Sequence, residues 1–113
     1  MYNKEIIKNY EWIIHFEPRL QLINPDFINS ALQNPRNLFT LPPHPGQFNT
    51  GLFCCKTSLL LDFSLNTDLK QMCLMSVCIE TALFEYFKNI DYDILPKMGV
   101  IRHDVYNNVY LEE

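Results

Sequence analysis

At 113 residues, 48% of them hydrophobic and 19% charged, the chain has the size and richness of a single domain spanning 1–113. It can bury about two thirds of its unfolded surface without disulfide or metal staples, which argues against disorder. The formal charge is −4 and the basic residues are scattered, so a run of phosphates finds no cluster of Lys or Arg and nucleic acid is excluded as a partner.

No stretch of 18 uncharged apolar residues exists, so no membrane span is expected, and the first ten residues lack the charged-then-apolar order of a secretion signal. An intracellular protein, of cytoplasm or nucleus, is the expectation. The weight of Asn, Ile, Lys and Tyr is that of an AT-rich genome, a virus among the sources that fit.

Residues 3–14 set Ile6, Ile7, Tyr10, Ile13 and Ile14 at helical spacing opposite Lys4, Glu5, Lys8 and Glu11, which predicts an amphipathic helix. From Ile14 the pattern becomes period two, with Phe16, Leu20 and Leu22 on one side and His15, Glu17, Arg19 and Gln21 on the other. Pro18 interrupts it, so the strand is expected to start near Arg19. Asn24 as N-cap, Pro25 at the first helical position and Asp26 in the first turn predict a short helix ending at Asn34, burying Phe27, Ala31 and Leu32.

Residues 35–50 carry four of the seven prolines and predict an extended loop with at most a short strand near Leu38 to Leu41. Loops of that length are often functional, and Phe39, Leu41, His44 and Phe48 are its candidates for engaging a partner. The competing expectation is that the same side chains close over the domain's own core. Residues 51–63 alternate through Phe53, Cys55, Leu59, Leu61 and Phe63, which predicts the central strand of a sheet.

Residues 67–88 then read as one helix, capped by Asn66 or Thr67, about 32 Å long and apolar around most of its circumference. A small sheet cannot cover such a rod, so its surplus should meet a partner through residues such as Met75, Glu80 and Phe84. Glu80 falls on a seam with Cys73, Ser76, Leu83 and Phe87, where its carboxylate requires the surface or a cation such as Arg19, Lys56 or Arg102. Past residue 88, strands are expected at 98–102, extending toward 106, and at 109–111, with Asn107 and Asn108 as the hairpin junction.

The expected fold is α+β: a small, largely antiparallel sheet, the long helix across it and two shorter N-terminal helices. Chemistry is poorly signalled. Cys54 and Cys55 alternate across a strand and Cys73 and Cys78 project about 140° apart on a helix, so neither pair closes locally and reduced, buried thiols are expected. His103 and Asp104 point apart in a strand, His15 and Glu17 lie on what should be a wetted face, and three glycines make no phosphate loop.

No catalytic residue, metal site or cofactor is expected. The reading is a non-enzymatic interaction module of regulatory, adaptor or viral accessory type, partnered by another protein or, as a homodimer, by a second copy of itself. The alternatives are a small enzyme or ligand-binding domain with a pocket between sheet and helix using Cys and His, and a subunit of a larger assembly.

Overall fold

A computed structural model of the protein describes residues 4–113. The fold is α+β. Among the described residues, α1 (Lys4–Ile7), α2 (Asp26–Gln33), α3 (Thr57–Asn66), α4 (Leu69–Leu74) and α5 (Ile79–Phe87) accompany two sheets. The larger sheet is ordered β1 (Trp12–Phe16), β4 (Leu52–Lys56), β3 (Leu38–Phe39), β5 (Asp93–Ile94). The smaller is ordered β2 (Gln21–Leu22), β6 (Val100–Asp104), β7 (Val109–Glu112). Every pairing is antiparallel except β3 with β5.

The larger sheet is covered on both faces, and β4 shows how. Its residues Leu52, Phe53, Cys54 and Cys55 are all buried, as a strand with two covered faces must be. Because successive side chains point to opposite faces, Leu52 and Cys54 join Leu38, Phe27 and Ala31 in one core. Phe53 and Cys55 join Phe39, Phe48, Leu60, Phe63, Leu83 and Phe87 in the other. In β1, likewise, Ile14 packs on the first core and Ile13 on the second.

Several predicted elements are redrawn by this packing. The helix expected at 3–14 is only α1, its first residue Asn3 lying outside the described residues. Trp12 to Phe16 instead pair with Lys56 to Leu52, since a strand satisfies the same Ile13 and Ile14 on two buried faces. The strand expected to run to Phe63 ends at Lys56, where the Thr57 N–H turns to the Glu11 carbonyl at 2.8 Å and α3 begins. Consecutive leucines at 59–61 fit either period, and burial of Thr57, Leu60 and Phe63 at three-residue spacing shows which one holds.

The 67–88 rod is two helices. After α4 the backbone takes a left-handed residue at Ser76 (φ +57°), the Val77 N–H reaches the Met72 carbonyl at 2.9 Å and the Ser76 N–H reaches Cys73 at 3.3 Å. That pair of bonds is a Schellman C-cap, and it redirects the chain into α5. The cap is Asp68, not Asn66 or Thr67: its Oδ1 accepts the Gln71 N–H at 3.0 Å, while the Thr67 hydroxyl donates back to the Phe63 carbonyl at 2.5 Å.

Two smaller differences follow from local chemistry. In α2, Phe27 and Ala31 are buried as expected but Leu32 is exposed, its place taken by half-buried Ile28. The β6–β7 hairpin has a four-residue loop, residues 105–108, because Asp104 accepts the Tyr106 and Asn107 N–H groups and pairs with Val109; only Asn108 has positive φ. Among the described residues no helix is long and apolar enough to cross a membrane.

Candidate functional site

The elements α4 and α5 meet at a corner that the other described residues leave open. Residues 73–78, CLMSVC, are all exposed, with Leu74 at 78% and Met75 at 65%. The exposure follows from the Schellman turn, which points α5 back at the core, where Leu83 and Phe87 are buried, and strands the apolar end of α4 outside. Leu65, at the end of α3, is exposed as well. Asp68 and Lys70, one acid and one base, stand exposed on the same short helical stretch.

The other interaction candidates divide in two. Phe39 and Phe48 are fully buried and stacked at 4.0 Å, and Phe84 meets Phe48 edge-on at 5.1 Å, so these three form an aromatic core instead of a docking face. That corrects their expected role: ring area packs on ring area once the proline-rich loop lies over the sheet. Leu41 and His44 remain exposed and line an open groove of about 620 Å³ running between the loop and β7. Glu80 is half-buried; it accepts a hydrogen bond from the Thr50 hydroxyl at 3.0 Å, and its carbonyl accepts the Phe48 N–H at 3.3 Å. The structure therefore brings Phe39, Phe48, Glu80 and Phe84 together around one core and leaves Met75 apart at the corner.

The four cysteines are free thiols in two environments. Cys54 and Cys55 are buried, and burial pushes both thiols up, that of Cys55 to about 12, so neither is a nucleophile at neutral pH. Cys73 and Cys78 are exposed, contrary to the expectation that all four are buried. The Cys78 sulfur lies 3.2 Å from the Thr81 hydroxyl and 3.5 Å from Gln47 Nε2. His103 belongs to the smaller sheet and contacts Asn108 Oδ1 at 3.1 Å, while Cys54 and Cys55 belong to the larger one; the Cys–His pairing considered from the sequence is not formed. Asp104 is spent on its own loop, where the Asn107 side chain and backbone N–H groups hold its carboxyl below the usual range.

A further cavity lies between the larger sheet and helices α3 and α5. Its walls are Phe53, Leu60, Phe63 and Leu83, and His15, Glu17, Thr50 and Ser64 reach its mouth. His15 is half-buried and stacked on Phe53 at 4.9 Å, and desolvation lowers its pKa below 6.5 despite the opposing pull of Glu17. The sequence places His15 on a wetted strand face and reads Leu60 as a strand residue. The three-residue spacing of Thr57, Leu60 and Phe63 was the available signal for this wall. Among the described residues, no group of three or more His, Cys, Asp or Glu is placed to hold a metal ion. Comparison of the chain with protein family profiles, with curated proteins and with solved structures gave no match.

Proposed function

We propose that the protein is a non-enzymatic interaction module that pairs with a second copy of itself through the corner at residues 73–78. The observation that supports this reading is the run of exposed apolar side chains there, Leu74 and Met75 foremost, which the fold creates and then leaves in water. We take a second copy as the occupant because the exposed corner carries both signs of charge, Asp68 and Lys70, so that a two-fold pairing can set acid toward base and close the apolar patch without like-charge repulsion. An interface of standard size, about 800 Å² per partner, would take about one tenth of the 7661 Å² surface. Four free thiols suit a reducing compartment, cytoplasm or nucleus, in which such a pair would operate.

Sedimentation equilibrium tests the reading. The unaltered chain is expected to sediment as a dimer at ~0.1 mM, and Leu74→Glu with Met75→Glu to weaken that dimer by at least about a hundredfold, because each charge would be buried unpaired, without lowering the melting temperature measured at a dilution where both chains are monomers. A strict monomer at that concentration, or a dimer indifferent to both charges, would overturn it.

A further inference from the structure

We infer that the cavity between β1, β4, α3 and α5 is a binding site for a small neutral molecule with one aromatic ring and one hydrogen-bond donor, of the phenol class. The size sets the first half of that chemistry. The cavity is about 140 Å³, and its walls Phe53, Leu60, Phe63 and Leu83 are each at least nine-tenths buried and wholly apolar. An apolar space of about 150 Å³ is enough to take a single six-membered ring. The His15 ring, 23° from parallel with Phe53, adds a flat aromatic surface at the entrance against which such a ring can lie.

The mouth sets the second half, because its hydroxyl protons are already committed. The Thr50 hydroxyl donates to Glu80 Oε1 at 3.0 Å and the Ser64 hydroxyl donates to the Leu60 carbonyl at 2.9 Å. A hydroxyl has one proton, so each of these oxygens has only lone pairs left to offer. Glu17 offers acceptors alone, and its charge is already met by Arg19, whose Nε donates to Glu17 Oε1 at 2.6 Å. These three groups therefore favour a ligand that brings a donor, and it gains little by bringing a full positive charge. Burial lowers the His15 pKa, so its ring offers an anion less positive charge than an ordinary imidazole would.

This site shares no residue with the 73–78 corner and stands whether or not the chain self-associates. The test is a methyl-resolved NMR titration of the full chain with phenol and, separately, with benzene. Saturable phenol binding that shifts the Leu60 and Leu83 methyls, with benzene at least about tenfold weaker for want of the donor, is the expected result. Ser64→Leu should fill the mouth and abolish the phenol shifts while the rest of the spectrum stays folded; Ile79→Phe closes the same cavity from α5 and serves if the first variant does not fold. Absence of saturable phenol binding, benzene binding as tightly as phenol, or phenol binding that survives the substitution in a folded variant would each overturn the inference.

Discussion

Tyr86 joins two helices through one short bond, its hydroxyl donating from α5 to Asp62 Oδ2 of α3 at 2.6 Å. Desolvation and the Asp62 carboxylate raise its pKa from 10.0 to about 12. Below pH 10 the phenol is neutral in folded and unfolded chains alike and the bond contributes in full. Between pH 10 and about 12 the unfolded chain releases this proton and the folded one keeps it, so stability falls as pH rises through that window. Tyr86→Phe is expected to cost about 1 kcal/mol near neutral pH and to flatten the alkaline loss, as urea melts at pH 8 and pH 11 would measure. Residue identity alone could not announce this pair, since Asp62 and Tyr86 are 24 positions apart and meet only because two helices pack. Glu80 teaches the same lesson: its half-buried seam position was legible from spacing, but its partner, Thr50, comes from a loop whose path no local pattern specifies.

The turn between α4 and α5 turns on Ser76, a residue with a side chain held at φ +57°. Left-handed backbone costs an L-residue about 1 kcal/mol relative to glycine, and glycine is the usual occupant of this C-cap position. Ser76→Gly is therefore expected to stabilise the fold by about 0.5–1 kcal/mol, read as a higher urea midpoint at unchanged slope. A destabilised Ser76→Gly protein would mean that one continuous helix runs through this point. The break was invisible in sequence for a physical reason: no glycine or proline marks it, and its bonds, Val77 to Met72 and Ser76 to Cys73, are made by backbone groups that every residue carries. Where side chains do the punctuating, the reading holds to within one residue: α2 starts at Asp26, with Pro25 in the cap position expected for Asn24. Asn24 and Pro25 announced α2, whose Asp26 N–H is held by Asn24 Oδ1 at 2.9 Å, and prolines kept residues 40–51 free of helix and strand.

At the scale of the molecule, one sheet divides two cores, and β4 sorts its side chains between them. The cysteines report this division. Native protein is expected to take two thiol labels, at Cys73 and Cys78, and four only after denaturation, because Cys54 and Cys55 are buried and protonated. Intact-mass measurement of the alkylated protein checks it; four labels on the native chain would mean that the sheet is open. The radius of gyration, 14.4 Å against about 13 Å for a compact chain of this length, fits a body from which the β6–β7 hairpin projects, with Tyr106 95% exposed at its tip. The sequence by itself determined the α+β class, the short second helix and the terminal hairpin, since these rest on composition and on spacing within a few residues. Only the tertiary structure decided where the 51–88 stretch changes from strand to helix and where its helix breaks, which aromatic residues become core, and that His15 and Ser64 share one cavity mouth. Those outcomes depend on pairing and packing between distant segments, and an apolar run such as Leu59 to Leu61 satisfies several local patterns until such contacts choose among them.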